Sequence, residues 1–186
     1  MDSQHETTPV GGTFSLGFAD LAVMARADGT VVASGFFPLE VLADGLSYRS
    51  GELPDVVTDA LAAWLDRDYE PLMRVPVERS GTPRIAQMRE TLRGIPAGQV
   101  VTYSQLAEQA GLPGLSRLAG RACSENPCLL FVPCHRVVAA SHIGPPVIAG
   151  SYAGTGAVKA HLLAHEGVAV ADPDGIVSGG DLPALP

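Results

Sequence analysis

Apolar residues recur along the chain with two different periods, and these periods predict its elements. Residues 13–37 contain apolar runs on both sides of Ala-Asp-Gly-Thr at 27–30, and Asp-Gly between apolar runs is typical of a β-hairpin. A helix ending near Asp66 is predicted by six apolar residues at helical spacing: Val56, Val57, Ala60, Leu61, Trp64 and Leu65. A small sheet followed by a helix predicts an α+β domain at residues 13–80.

The segments around this domain lack such a period. Residues 69–83 contain three prolines and a glycine, which favours an extended connection and a domain boundary after residue 80. Residues 1–12 and 169–186 are predicted to be disordered tails, the second of them acidic and rich in glycine and proline. A second domain is therefore expected at residues 81–168.

The second domain begins with a predicted helix, on which Ile85, Met88 and Leu92 share one face. Thr102 and Gln105 have the spacing of a capping box, and they predict the start of a shorter helix that Gly111 terminates.

Another short helix is predicted from Leu115 to Glu125, after a turn of four residues at 111–114. Two short helices across a glycine-containing turn form the pattern of a helix-turn-helix, which also occurs in helical cores without DNA. The later helix has the small residues Ala119, Gly120 and Ala122, with Arg117 and Arg121 four positions apart. This pattern fits close approach to a nucleic-acid groove, and it equally fits tight helix packing with solvated arginines.

Composition and charge narrow the class of protein. With 46% hydrophobic and 17% charged residues in a chain of 186, disorder throughout is excluded. The formal net charge of −8 argues against a polyanionic partner, but residues 84–166 hold 7 basic and 4 acidic residues, which keeps nucleic acid open. The first ten residues, MDSQHETTPV, lack a basic start and an apolar core, and no apolar run is long enough to span a membrane, so a cytoplasmic location is expected.

The candidate chemistry lies at Pro133-Cys134-His135-Arg136, after an apolar run at 128–132 that is predicted to be buried and extended. A histidine or arginine beside a thiol favours the thiolate, which is a strong nucleophile, whereas an isolated cysteine is more often a buried structural residue. Cys123, Cys128, Cys134 and His135 also run as C-x4-C-x5-C-H, but structural zinc sites begin with tighter pairs. No metal is predicted.

Four segments occur in order: GIPAGQVVTYSQLA, SRLAGRACSENP, VPCHRVV and SYAGTGAVKAHLLAHEG. Together they resemble the O6-alkylguanine-DNA alkyltransferases, the methylated-DNA–protein-cysteine methyltransferases, closely over residues 84–167 and loosely over 13–77. The resemblance implies a ribonuclease H-like N-terminal domain and a mostly helical domain with a helix-turn-helix.

The resemblance also implies the reaction. Cys134 would accept the alkyl group of O6-alkylguanine, and more weakly of O4-alkylthymine, irreversibly and once per molecule, without a cofactor. His135 would take the thiol proton through a water molecule, Glu166 would orient His135, and Asn126 would brace the turn. The partner would be double-stranded DNA with the lesion turned out of the duplex.

On the DNA side, the resemblance implies that Arg117 fills the vacated place and that Tyr103 contacts the neighbouring phosphate and N3 of the flipped guanine. The helix would lie in the minor groove. Its implied contacts there are Ser116, Arg117, Ala119, Gly120 and Arg121. The protein would be a monomer, without membrane contact, and associated with the nucleoid if it is bacterial.

The implied alkyl pocket is formed by Cys123, Arg136, Val137, Tyr152, Ala153, Gly154 and Lys159. The sequence departs from the family at three places that bear on this pocket or its surroundings. In the family this helix usually has a Phe-Gln start and a Val-Trp pair, whereas this chain has Arg84, Met88 and Arg89 in the matching places, so packing against the first domain is expected to differ. The 139–151 segment, which is the pocket wall in the family, is longer than usual, and Ala153 replaces a frequent serine.

Three other functions stay open from sequence. An alkyltransferase-like lesion-binding protein would bind DNA without transfer, although such proteins lack the acceptor cysteine. A Cys-His hydrolase would act many times and needs an oxyanion hole. A helix-turn-helix module with inert thiols would have no transfer chemistry.

Overall fold

The computed structural model describes residues 8–150, 152, 156–172 and 175–177. Contact clustering divides the chain into two compact units. The first unit takes in the chain up to Arg79 together with Pro127–Phe131, and the second takes in Ser80–Asn126 and the chain from Val132 onward. Within the described residues, no helix is long and apolar enough to cross a membrane.

The first unit consists of a four-stranded sheet and three helices. Its elements are β1 (Val10–Ser15), β2 (Asp20–Ala25), β3 (Val31–Gly35), α1 (Leu39–Ala43), β4 (Arg49–Ser50), α2 (Asp55–Leu65) and α3 (Glu70–Arg74). The strand order is β3-β2-β1-β4, with antiparallel pairs except for the parallel pair of β4 with β1. The predicted hairpin is confirmed: Arg26 N donates to Thr30 O at 2.9 Å, and Gly29 has a φ of 84° that suits glycine.

The predicted apolar helix is α2, and its buried face is formed by Val57, Ala60, Leu61 and Trp64. The assignment of Val56 to this face is wrong, because its side chain is 50% exposed. The extended connection at 69–83 is also wrong in part, since α3 begins at Glu70. Pro71 lies in the first turn of α3, where the missing N–H of proline costs no helical hydrogen bond.

Both predicted tails are shorter than expected where the structure describes them. Strand β1 starts at Val10, which pairs with Ala25 on β2 and Arg49 on β4. In the C-terminal segment, Val170 is fully buried and pairs with Val147. Each segment is ordered because a neighbouring strand supplies its backbone hydrogen bonds.

The second unit is mainly helical. Its elements are α4 (Pro83–Arg93), β5 (Val101–Thr102), α5 (Tyr103–Gln109), α6 (Ser116–Ser124), β6 (Val137–Val138), β7 (Val147–Ile148), α7 (Gly156–His165), β8 (Val170–Asp172) and β9 (Gly175–Val177). The mainly antiparallel sheet of the first unit and the predominance of helices in the second confirm the α+β class. The ribonuclease H-like and helix-turn-helix assignments stay predictions.

The capping box at the start of α5 is confirmed. Thr102 Oγ1 accepts from Gln105 N at 3.2 Å, and Gln105 Oε1 accepts from Thr102 N at 2.8 Å. Strand β5 pairs with β6 in parallel, Val101 with Val137 and Thr102 with Val138. This two-residue ladder places the start of α5 beside the chain that leaves Arg136.

The apolar run at 128–132 departs from the expected extended segment. Leu130 has a φ of 74°, so the chain turns there. Residues 127–131 also cluster with the first unit, where Leu129 N donates to Ser34 O at 3.0 Å and Ser34 Oγ donates to Leu129 O at 2.8 Å. The second unit is therefore built from two chain segments rather than from a continuous 81–168.

A second small sheet has the order β7-β8-β9, with β7 and β8 parallel and β8 and β9 antiparallel. Val147, Ala149, Leu163 and Val170 pack in one apolar cluster there. Val147 and Ala149 thus share a core with Val168 and Val170.

Candidate active site

Cys134 is held by two successive tight turns. Pro133 has φ −79° and ψ 60°, the geometry of an inverse γ-turn, and Cys134 N donates to Val132 O at 2.8 Å. A 3-10 turn over Cys134–Arg136 follows, closed by Arg136 N donating to Pro133 O at 3.0 Å. Proline presets the φ that the first turn needs, so the sequence itself fixes how the thiol is presented. Cys134 is only 4% exposed.

Asn126 lies directly beside the thiol. Its Nδ2 donates to Val132 O at 2.8 Å and to Cys134 Sγ at 3.1 Å. An amide NH2 carries two hydrogens, so both bonds can form together. Asn126 therefore braces the turn and stabilises negative charge on the sulfur.

Burial raises the pKa of the Cys134 thiol. The Asn126 amide, the Lys159 ammonium and the Tyr152 hydroxyl act in the opposite direction but do not outweigh burial. The resting group at neutral pH is consequently the thiol, and its reaction as a nucleophile requires a base.

His135 is the candidate base. It is fully buried, and burial lowers its pKa although Glu166 opposes this, so the imidazole is neutral at neutral pH. Its Nε2 lies 3.0 Å from Glu166 Oε1. Because an ionised carboxylate only accepts, we assign the proton to Nε2 and the lone pair to Nδ1. Nδ1 has no hydrogen-bond partner among the described residues and is free to accept a proton.

Glu166 is held ionised by its partners. Burial alone would raise the pKa of its carboxyl, but His135 and Arg136 outweigh burial and hold the pKa well below its usual range. Arg136 donates from Nε to Oε2 at 2.8 Å and from Nη2 to Oε1 at 2.7 Å. A bidentate pair of this kind fixes the plane of the carboxylate and hence the imidazole beyond it.

The structure corrects the placement of Arg136 in the alkyl pocket. Its side chain is 1% exposed, and its third nitrogen, Nη1, donates to Ile95 O at 2.5 Å. All three guanidinium nitrogens thus contact Glu166 or Ile95. Arg136 acts on the site through Glu166.

Lys159 brings a buried cation to the thiol. Its Nζ donates to Val137 O at 2.6 Å, and burial lowers its pKa while Cys134 and Cys123 oppose this. Val137 itself is fully buried in β6. The backbone carbonyl therefore anchors Lys159 and leaves its charge to act on the sulfur.

Two tyrosines and a second cysteine surround Cys134. Burial raises the pKa of Tyr103, Tyr152 and Cys123, and negative charge formed on Cys134 raises each further. The ring of Tyr152 meets the His135 ring edge-on, with centroids 6.3 Å apart. These residues are brought together as expected, whereas Ala153 and Gly154 lie outside the described residues.

Helix α6 presents Arg117 and Arg121 to solvent, and Ser116 is half-buried. Arg121 Nε donates to Glu125 Oε1 at 2.7 Å. A Cβ added at Gly120 would lie 4.0 Å from Tyr103 Cδ1, so this glycine faces α5. Ala119 is fully buried, which corrects its assignment as a DNA contact: its small side chain serves packing.

Arg89 is the site-linked residue that the sequence reasoning missed. The sequence predicts only an altered domain packing for it, yet its guanidinium hydrogen-bonds to the C-terminal end of α6, at Ala122 O and Glu125 O. A signal was present, because Arg89 stands four residues after Ile85 on the apolar face of α4. An arginine within an apolar face points to a buried guanidinium with partners.

The candidate metal ligands do not form a site within the described residues, which contain no group of three His, Cys, Asp or Glu suited to an ion. Cys128 belongs to the first unit, where its Sγ lies 3.8 Å from Val31 O.

The geometry supplies a nucleophile, a neutral base and an ionised group that orients the base. Such a relay activates a thiol for attack on carbon.

Known proteins are similar to this chain in sequence. A family model described as "6-O-methylguanine DNA methyltransferase, DNA binding domain" matches residues 85–168. The methylated-DNA–protein-cysteine methyltransferase of Shigella flexneri is 39% identical over 124 residues, which are 67% of this chain and 70% of that protein. The protein of the same name from Homo sapiens is 43% identical over 82 residues, 44% of this chain and 37% of that protein.

Solved structures are similar in fold. OGT from Mycobacterium tuberculosis, in complex with DNA, has a TM-score of 0.68 at 22% identity, covering 84% of this chain and 92% of that one. The O6-methylguanine-DNA methyltransferase of Pyrococcus kodakaraensis has a TM-score of 0.59 at 24% identity, covering 87% and 100%. The family assignment rests on the sequence matches, and the match to the Shigella flexneri protein covers 67% of this chain and 70% of that one. The chain belongs to the methylated-DNA–protein-cysteine methyltransferase family.

Proposed function

We propose that this protein repairs DNA by moving the alkyl group of O6-alkylguanine, and more weakly of O4-alkylthymine, onto its own Cys134. The observation that carries the proposal is the buried thiol beside the His135–Glu166 pair, with Asn126 donating to the sulfur at 3.1 Å. Relatives named methylated-DNA–protein-cysteine methyltransferase support the same reaction.

The reaction is a displacement at the alkyl carbon. The thiol proton passes to Nδ1 of His135, directly or through a water molecule, and the sulfur attacks the carbon. The S–C bond forms as the C–O6 bond breaks, and the guanine takes up a proton as it leaves. Because a thioether is not hydrolysed under these conditions, each molecule acts once.

The protein stabilises both charges that form in this step, the thiolate on Cys134 and the imidazolium on His135. Asn126 and Lys159 favour the thiolate, and Glu166 stabilises the imidazolium that forms on His135. Tyr103, half-buried at the start of α5, would hydrogen-bond N3 of the guanine and so ease its departure.

DNA is the proposed partner, bound by the second unit. The exposed Arg117 and Arg121 on α6 suit phosphate and groove contacts, and α6 would lie in the minor groove. The lesion must be turned out to reach a buried thiol, with Arg117 filling the gap. A relative, the OGT of Mycobacterium tuberculosis, has been solved in complex with DNA. The protein would work as a cytoplasmic monomer, at the nucleoid if it is bacterial.

The test is the intact mass of the protein after incubation with duplex DNA bearing O6-methylguanine. We expect a gain of one methyl group, mapped to Cys134, with at most one transfer per protein molecule. Cys134→Ser should abolish transfer and retain binding to the lesion, because a hydroxyl fills the same space but is far less acidic. Cys128→Ser, in the first unit, is the matched control and should transfer normally.

Other outcomes would favour the alternatives. Lesion binding without any mass gain would indicate a non-catalytic lesion-binding protein. Many substrate turnovers per molecule would indicate a Cys-His hydrolase, and either result would overturn the proposal.

A further inference from the structure

Arg89 is a buried arginine in the second unit that the proposed reaction does not use. It lies on the inner face of α4 with Ile85 and Leu92, and is 8% exposed. Burying a guanidinium is costly unless its N–H groups are satisfied, so its contacts indicate what it holds in place.

The guanidinium spans two carbonyls at one helix end. Its Nε donates to Ala122 O at 3.1 Å and its Nη2 donates to Glu125 O. Its Nη1 donates to Ser80 O at 3.1 Å and to Ser80 Oγ at 2.8 Å. The last carbonyls of a helix lack intrahelical partners and form the negative end of its dipole, so a cation is favoured there.

The residue that follows this helix end is Asn126. Its backbone N donates to Cys123 O at 3.3 Å, which continues the turn that closes α6. Its side-chain amide reaches Val132 O and Cys134 Sγ. Arg89 is thus bonded to the carbonyl of the peptide group whose nitrogen belongs to Asn126.

We propose that Arg89 is a positioning residue for the acceptor thiol: by holding the C-terminal carbonyls of α6, it fixes Asn126 in the orientation from which its amide donates to Cys134 Sγ. The inference rests on the hydrogen bonds that the side chains of Arg89 and Asn126 make. The role of the thiol as alkyl acceptor rests on the proposed function, but the bond network around the sulfur does not.

The planar fork of arginine explains why this residue type is needed. Two carbonyls are bonded from two different nitrogens of one rigid group. A lysine ammonium on a flexible stem could reach one carbonyl well but not hold both in a fixed geometry. A lysine at position 89 would therefore keep the positive charge but hold the two carbonyls less firmly.

The test uses the reactivity of Cys134 with iodoacetamide in the full-length protein, followed by fragmentation of the peptide that carries the three cysteines. This reagent reports on the sulfur whether or not the protein transfers alkyl groups. We expect Arg89→Met to slow modification of Cys134 at neutral pH by about fivefold, the effect of losing one hydrogen bond. The Asn126 amide lowers the thiol pKa against burial, so its loss should also move the pH profile to higher pH.

Two further variants keep the test decisive. Arg89→Lys retains the charge and should show a smaller shift in the same direction, and it serves alone if Arg89→Met does not fold. Arg84→Lys, on the same helix but exposed, should leave rate and profile unchanged. The single-turnover rate with O6-benzylguanine should follow the same order.

A double-mutant cycle distinguishes positioning from general damage. If Arg89 acts through Asn126, adding Arg89→Lys to Asn126→Ala should change the pH profile no further. Effects that simply add would overturn the proposal, as would an unchanged profile in folded Arg89→Lys and Arg89→Met. A protein that reacts with iodoacetamide as expected but takes no methyl group from DNA would overturn the proposed function and leave the role of Arg89 standing.

Discussion

The two units differ most in the number of polar and charged side chains that they bury. In the first unit, the described residues include one buried polar residue, Ser34, bonded to backbone atoms of 127–131. The described part of the second unit buries eight: Arg89, Thr102, Asn126, His135, Arg136, Lys159, His165 and Glu166. Burying charge costs free energy that apolar packing does not, so such groups concentrate where chemistry needs them. The contrast locates the reactive centre without reference to any relative.

The largest effect is expected on the free energy of unfolding, where a buried ion pair can be compared with an exposed one. Arg136→Met leaves Glu166 buried with only part of its compensation, and we expect a loss of about 3–5 kcal/mol in the free energy of unfolding. Arg26→Met breaks the pair of Arg26 with Glu78 in the first unit, at 2.6 Å with side chains 33% and 44% exposed, and should cost no more than about 1 kcal/mol. Urea unfolding of both variants checks this. Equal losses in the two variants would mean that the buried ion pair stabilises the protein no more than the exposed ion pair does.

The next effect is on the rate. Glu166→Gln can still contact His135 but no longer stabilises the imidazolium, and single-turnover transfer should slow by about 10²-fold. Glu78→Gln, in the first unit, should leave the rate unchanged. An unaltered rate in Glu166→Gln would reduce Glu166 to a structural ion-pair partner of Arg136.

The same groups make the second unit sensitive to acid. The pKa of His135 lies below its ordinary 6.5, so the unfolded chain binds more protons below that pH and stability falls as pH decreases. The depressed pKa of Glu166 acts in the same direction below its ordinary 4.5. Hydrogen exchange should therefore show α7 losing protection between pH 7 and pH 4 before the strands of the first unit do. Loss of protection in both units together would contradict the contrast.

A smaller effect is expected at the surface of α6. Arg117→Ala should slow repair of duplex DNA by about tenfold, because it would remove the group that we propose fills the gap left by the extruded base. Transfer from free O6-benzylguanine, which needs no extrusion, should be nearly unaffected. Equal slowing on both substrates would show that Arg117 supports the pocket or the fold.

The smallest effect concerns Arg121. It already pairs with Glu125, so Arg121→Ala should weaken DNA binding only modestly and lower the salt dependence by about one phosphate contact. Arg74→Ala removes the equivalent i,i+4 arginine of the first unit, which pairs with Glu70, and should leave affinity unchanged. Affinities at two salt concentrations test both. A similar loss in the two variants would indicate nonspecific charge rather than a DNA-binding face.

Elements that depend on signals within a few neighbouring residues could be predicted from the sequence alone. The Asp-Gly hairpin, the Trp64 helix and the Thr102–Gln105 capping box depend on interactions within a few residues, and all three are confirmed. The site residues around Cys134 were named through family resemblance, since Glu166 lies 31 positions from its partner His135.

What could not be predicted depends on partners distant in the chain. Arg136 looks like a pocket residue beside Cys134, but its orientation is decided by Glu166 and Ile95. The burial of Ala119 depends on helix packing, and the strand at Val170 exists because Val147 pairs with it. No local pattern contains that information.

The pairing of β7 with β8 joins two places that look unrelated in the sequence. The family match ends at residue 168, yet Val147 N donates to Ala169 O at 2.8 Å, just beyond that end. Strand β7 is therefore held by residues that lie just outside the matched region. A chain cut at the boundary of the family match would leave β7 without its strand neighbour, so a truncated form of this unit should retain the residues up to Asp172.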